Sequence, residues 1–454
     1  MYSTPKPCFG RIKATLLWLL LLFTGLGLSH CKPAETLRLQ DPSASLRFSE
    51  EAIVFDTLLT SLRNPAKRLM VYNPNPGALL IDQISVGAQS GFSLLVRGRR
   101  GQVFEQVEIL RGDSLLIVVE AQLTNGMMPG TVLAFDSIVF NYNQRQQNLK
   151  LLAWAIPVTT LSGEVIREAR TWPKGSNFLI MDSLRIAPEG HLTIADSVRV
   201  FFFNQASLLV EGQLTALGSP QGRIRMEGVR REPAFQSRPG QWQGIRLRAG
   251  AIVRLQAVDI LRANTGISLA HGATAQLTQL QLQHHTHHGI AATGGVLSLS
   301  NTLISDCYSA GISLQAGGNY ELIHNTIACF EFDFVRTSPA LGLILVEGQG
   351  NTTLTLQHNL IWGSRNEELR LSTQATGLQL VAEGNLWRSN TVIGGNIQNQ
   401  NPLFVNPSGR DFRLKPESPA VGVVASPRLP VDLRGLPRLS PTDIGAYQYK
   451  PEEE

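Results

Sequence analysis

Clustered charge is the first thing this sequence lacks. Lysine and arginine number 40 against 35 acids, and they are scattered along the chain. Lys6, Arg11 and Lys13 lie in the first thirty residues, where there is no acid; without them the count is 40 − 3 = 37 against 35, a net of +2. A nucleic-acid partner needs a basic face, so that class is set aside. Acids are thin in the middle of the chain, where only Asp259, Asp306, Glu321, Glu331 and Asp333 stand, with no Asp-Asp or Asp-x-Asp pair. A calcium-dependent lyase gathers acidic ligands, and a hydrolase holds two carboxylates at fixed separation. No catalytic residue is therefore assigned. Cysteine is scarce at four residues. Cys307 and Cys329 are expected as buried free thiols, with a disulfide as the alternative if the geometry permits one. Helix-period segments are missing throughout.

The longest apolar run, Ala14 to Leu28, is about the length of a signal-peptide core and short for a bilayer span. It follows three positive charges and ends at Ser29 and Cys31. Residues 1–30 thus read as an export signal. With Leu28 and Ser29 before Cys31, the segment resembles a bacterial lipoprotein signal, which implies lipid on Cys31. An ordinary secretory signal cut nearby is the alternative.

After a linker at 31–44, residues 45–157 show seven or eight short runs with alternating polarity, such as AIVFDTLL, KRLMVYNP and SLLIVVEAQL. Turn formers separate them, among them Asn73-Pro74-Asn75-Pro76-Gly77 and Gly112-Asp113. That pattern predicts a β-sandwich. The run from VFDTLL to GDSLLIVVEA resembles the immunoglobulin-like modules of bacterial surface proteins, which implies a stalk or interaction module.

From residue 160 the texture becomes repetitive. Gly266-Ile267, Gly289-Ile290 and Gly311-Ile312 recur at spacings of 23 and 22. A second series runs Asn301-Thr302-Leu303, Asn325-Thr326-Ile327, Asn359-Leu360 and Asn385-Leu386, with a larger insertion around 332–350. Such a unit cannot bury an apolar face alone, but a stack of copies can. The repeat resembles a right-handed parallel β-helix of the pectate-lyase-like kind, expected over 160–400 as about a dozen coils and a rod on the order of 60 Å. The cadence HLTI…LLVEGQLTALG and Trp242 in PGQWQGI resemble the opening coils of such proteins. Residues 401–454 carry Pro402, Phe404, Asp411, Ser418-Pro419-Ala420, Asp432, Arg434-Gly435 and Asp443-Ile444-Gly445-Ala446-Tyr447. They resemble the C-terminal segment of choice-of-anchor β-helix proteins, which implies a C-terminal cap and tail. A bond from Asp443 to Arg434 is expected to close the last coil.

In HHTHHGIAATGG, the histidines His284, His285, His287 and His288 precede the repeated Gly289-Ile290, so they occupy a corner between strands. They read as a variable, partly exposed corner. With Asp306 from the next coil they are also a candidate metal set, for zinc or calcium, since zinc needs three or four converging ligands. Asp259 and Asp306 are placed two coils apart, roughly 10 Å by strand spacing, a loose carboxylate pair. Trp242, Trp362, Trp387, Tyr308 and Tyr320 are candidates to stack on sugar rings, with packing as the alternative. The chain reads as an all-β, lipid-anchored cell-envelope protein at the outer membrane or cell surface. Its expected role is non-catalytic surface display, adhesion or carbohydrate binding, with a polysaccharide or cell-surface glycan as partner. The rival reading is a polysaccharide lyase or glycoside hydrolase acting in the β-helix cleft.

Overall fold

The computed structural model describes residues 38–451 apart from 61, 63–64, 89, 124–131, 346–350 and 373–376. The expected export signal, Cys8 and Cys31 lie outside the described residues. The chain forms two compact units: most of the chain up to Trp154 makes the first, and the chain from Ala155 on, together with the segment Asp56–Leu62, makes the second.

The N-terminal part is a β-sandwich of two five-stranded antiparallel sheets. One runs in the order Arg47–Phe48, Lys67–Tyr72, Ser114–Ala121, Phe92–Val96, Arg99–Gly101. The other runs Ala52–Leu59, Arg145–Ile156, Val132–Tyr142, Leu79–Ser85, Val103–Ile109. Alternation in sequence becomes alternation in burial. Leu115, Ile117, Val119 and Ala121 point inward while the residues between them face out, as a period of two requires. The Asn-Pro-Asn-Pro-Gly turn is fixed by buried Asn73, whose amide donates to the carbonyls of Gly77 and Ile109, both at 2.9 Å.

The second unit is a parallel β-helix with three faces. Face A has eleven strands, from Thr159–Leu161 through Ile224–Gly228, Val258–Leu261, Gln281–His285, Leu303–Cys307, Thr326–Cys329 and Leu360–Gly363 to Ile397–Gln398. Faces B and C belong to one sixteen-stranded sheet, because Ile290–Ser300 and Ile312–Ile323 run through the corner between them. Among the described residues, nine coils carry all three faces and two more strands extend face A. Ten strand intervals at about 4.8 Å give a stack of roughly 48 Å, shorter than the dozen coils expected, because long insertions consume sequence.

Each strand pairs in parallel with its equivalent one coil on, so identical positions stack. On face A one inward column reads Val200, Met226, Ile260, Leu282, Ile304, Ile327, Ile361, Trp387. On face B another reads Ile245, Ile267, Ile290, Ile312, Leu341, Leu369. Burying each such side chain is worth about 1.5–3 kcal/mol, and only stacking makes the burial complete. The repeated Gly-Ile is thus a true structural register. The glycine is required by close approach: a Cβ on Gly289 would sit 2.5 Å from Ile304 Cγ2, and one on Gly311 2.6 Å from Ile327 Cγ2.

The repeated asparagines form a buried ladder with one change of register. Asn325 donates to Asn359 Oδ1 at 2.9 Å, Asn359 to Asn385 Oδ1 at 3.0 Å and Asn385 to Asn396 Oδ1 at 2.8 Å. Leu303 pairs with Thr326, so Thr302, not Asn301, holds the equivalent place. Asn301 lies one residue earlier, at φ 46°, matching His324 and His358 at φ 54° and 57°.

The C-terminal segment is a lateral strap. Phe404, Phe412, Leu414, Leu433, Ile444 and Ala446 pack on Leu303, Ala328, Leu360, Trp362 and Leu386, the outward side of face A. Gln279 donates to the Asp432 carbonyl at 2.8 Å, and Asn301 to the Val431 carbonyl at 2.7 Å. The expected Asp443–Arg434 bond is replaced by one to Asp432, which receives Arg434 Nε at 3.3 Å. The Asp443 carboxylate instead accepts the backbone N–H groups of Gly422 and Tyr449. Among the described residues no helix is long and apolar enough to cross a membrane.

Candidate functional site

The histidine corner separates its side chains. Leu261, Gln283 and Ser305 are in register, and each is followed by a left-handed residue: Arg262 at φ 61°, His284 at 59°, Asp306 at 52°. This left-handed residue, at the same place in each coil, bends the strand at the corner so that His285 and Cys307 turn back inward as partners. His284 faces the polar outer side of face A, and its pKa is lowered by burial against the pull of Asp306. His285 is completely buried, and burial pushes it down to about 3, so the ring is neutral. The carbonyls of Ala263 and Ile260 offset this slightly, without reaching hydrogen-bond geometry. His287 is exposed. His288 Nδ1 accepts the Ala310 N–H at 3.4 Å. Asp306 is tied to Arg410 of the strap at 3.3 Å and to Ser305 Oγ at 3.1 Å. Among the described residues no three His, Cys, Asp or Glu side chains converge as metal ligands. The expected convergence of His284, His285, His287, His288 and Asp306 is therefore corrected: the left-handed bend at His284 sends adjacent histidines to opposite sides of the wall.

The aromatic candidates are packing residues. Trp387 ends an inward column and is wholly buried, as is Tyr320, whose hydroxyl donates to the Gln315 carbonyl at 2.7 Å. Trp242 is buried against Phe202, with centroids 3.9 Å apart. Trp362 is 9% exposed and lies under the strap, with Arg388 over its ring. Tyr308 is half-buried and stacks on Phe334. Stacking on a sugar by Trp387 or Tyr320 is corrected by this burial, since a ring inside the coil offers no free face.

The acids are also accounted for. Asp259 pairs across coils with Gln281, which pairs with Leu303, so Asp306 is not in its column. Arg223 Nε holds Asp259 at 2.6 Å. The loose carboxylate pair expected from spacing is two separate arginine-bound acids. Cys307 and Cys329 are free thiols, fully buried, and burial pushes Cys329 up to about 12.

Face C presents an ordered solvent-facing surface over nine coils. Thr193, Thr215, Arg254, Gln276, Ser298, Glu321 and Thr355 form one outward column, in register coil by coil. Gln213, Ile252, Thr274, Val296, Asn319 and Thr353 form a second beside it. The two columns offer hydroxyls, amides and single charges of both signs at the strand spacing of about 4.8 Å, with exposed Ile252 and Val296 among them. Neighbours bond along the column, as Ser298 to Glu321 at 3.1 Å, which holds them in place.

Two features go beyond the expectations drawn from the sequence. Arg336 and Glu368 form a fully buried ion pair at 2.6 Å that anchors the 330–340 insertion, where Glu368 Oε2 also accepts the Ala340 N–H at 2.9 Å. Their separation of 32 residues gives no local signal. The second feature was legible: seven arginines lie between Arg223 and Arg248 against two acids, Glu227 and Glu232. The bases are therefore not scattered throughout. No protein-family model matches the chain, and no curated protein matches its sequence.

Proposed function

We propose that this chain is an exported cell-envelope protein, lipid-anchored through Cys31, that holds a glycan without cleaving it along face C of its β-helix. The paired outward columns of face C carry the reading. A polymer with a regular hydroxyl pattern meets a wall of regularly spaced donors and acceptors, already ordered by the stack. Little side-chain freedom is then lost on binding. The apolar run ending at Cys31 supports export and anchoring. The rival reading, a polysaccharide lyase or glycoside hydrolase, needs free carboxylates beside the sugar. Asp259 and Asp306 are each engaged by an arginine, which weighs against it.

Electrophoresis in gels containing a panel of acidic and neutral polysaccharides tests the proposal. The wild-type chain should be retarded by at least one glycan. The triple variant Arg254→Ala, Gln276→Ala, Glu321→Ala should run freely while melting at an unchanged temperature, because all three side chains are exposed. Equal retardation of the triple variant would overturn the assignment to face C.

A further inference from the structure

A second site of different chemistry lies on the outer side of face A. Arg225 and Glu227 face outward from Ile224–Gly228 and Gln283 from Gln281–His285, while Arg262 and His284 occupy the left-handed corner positions of successive coils. With Arg231 from the following insertion, these residues line a cavity of about 490 Å³, within the range of small-ligand sites.

Its electrostatics are unbalanced. Glu227, 2% exposed, is the central anion. Arg262 hydrogen-bonds it directly, whereas Arg225 and Arg231 stand 3.6 and 3.8 Å away, beyond hydrogen-bond length. Three buried guanidinium nitrogens have no protein acceptor: Arg225 Nε, Arg231 Nη1 and Arg262 Nε. Arg262 is itself only 7% exposed, so its unpaired N–H belongs to a side chain committed to the interior. Arg199 stacks one coil before Arg225. Burial and the charges of Arg231 and Arg225 hold its pKa below the ordinary range. Asp56, an exposed acid of the same compact unit, completes the charged lining. Among the lining residues Arg225, Arg231 and Arg262 give three positive charges and Glu227 and Asp56 two negative, an excess of one, to which Arg199 adds from the neighbouring coil. Burial lowers the pKa of His284, so it adds polarity without charge near neutral pH.

We propose that this cavity binds a tetrahedral oxyanion, a phosphate or sulfate group, on the guanidinium groups of Arg225, Arg231 and Arg262. Glu227 positions the arginines and offsets part of their mutual repulsion. The oxyanion supplies acceptors to the three unpaired N–H groups and offsets the excess positive charge, the pairing for which guanidinium geometry is suited. The site is distinct from face C and does not depend on the glycan reading.

Calorimetric titration of the full chain with inorganic sulfate and inorganic phosphate, at ionic strength held constant with chloride, tests this. One saturable site per chain is expected. Arg231→Gln and Arg225→Gln, whose side chains are partly exposed, should fold normally and weaken binding by at least about tenfold, the loss expected for a charge-assisted hydrogen bond. Arg413→Gln, outside the cavity, should leave affinity unchanged. Glucose 6-phosphate and glucose 6-sulfate separate the sources: tighter binding than the free ion assigns a sugar ester, and weaker binding assigns the free ion. No saturable binding above chloride, or equal loss in Arg413→Gln and Arg231→Gln, overturns the proposal.

Discussion

Replacing Asn359 by alanine should be among the most damaging single changes in the β-helix. The side chain is wholly buried in the wall and makes four hydrogen bonds. Nδ2 donates to the Leu322 carbonyl at 2.8 Å and to Asn385 Oδ1 at 3.0 Å. Oδ1 accepts from Asn325 N at 3.0 Å and Asn325 Nδ2 at 2.9 Å. At about 1 kcal/mol per bond the sum is roughly 4 kcal/mol. Asn325 Nδ2 keeps the Leu299 carbonyl at 3.0 Å, which trims the loss, while the stranded Asn325 N–H and Leu322 carbonyl add to it. A net of about 3–5 kcal/mol follows, or some 5–8 °C in melting temperature for a unit of this size. Urea unfolding followed by circular dichroism measures it, with exposed Gln276→Ala as a control that shifts by less than about 0.5 kcal/mol. Asn359→Asp keeps the shape but removes both donors and buries a charge, so it should cost at least as much. A loss below about 1 kcal/mol for Asn359→Ala would refute the claim that the ladder couples successive coils.

Buried histidines should make stability fall with acid. His285 and His324 are depressed by burial to about 3 and about 2, so the unfolded chain takes protons below about pH 6.5 that the folded chain refuses. Stability present above that pH is lost as pH falls, by about 1 kcal/mol per histidine between pH 6.5 and 5.5 and approaching about 1.4 kcal/mol per unit below that. His284, His288 and His358 are lowered too and act in the same sense. Urea midpoints at pH 6.5 and 5.5 read the slope, and His285→Leu should reduce it; an unchanged slope contradicts the assignment. In the strap, Asp432→Ala should cost about 2–3 kcal/mol, because its buried carboxylate accepts the N–H groups of Arg434, Leu436 and Gln448 at 2.8, 2.9 and 3.0 Å. Arg434→Ala, a half-exposed partner, should cost about 1 kcal/mol or less, and the reverse order in thermal melts would show that the strap is held otherwise. Cys31→Ala should release the chain from the membrane fraction of an expressing bacterium, and continued partitioning there would exclude lipid on that residue.

The stack was legible because its signal is periodic and local. Gly266, Gly289 and Gly311 mark a place where no side chain fits, and the following isoleucines fill one column. The asparagine series was legible in kind but slipped by one at Asn301, because a left-handed residue before the strand shifts the count without changing the local pattern. The same kind of left-handed residue at His284 and Asp306 hid the fact that adjacent histidines face opposite ways. The aromatics were ambiguous because Trp362, Trp387 and Tyr320 look alike in sequence whether they face solvent or core. The strap was recognised as a segment but not placed, since the partners of Phe404 and Leu433 lie far back in the chain. The arginine cavity joins residues from three coils, and only the Arg223–Arg248 density foretold it.

The most direct test of the central claim is to incubate the full chain with a panel of acidic and neutral polysaccharides, with and without calcium, and follow both retention and products. The account predicts that a glycan is retained by the wild-type chain, is released by the face C triple variant, and is recovered at its original length. Unsaturated or shortened products would contradict it.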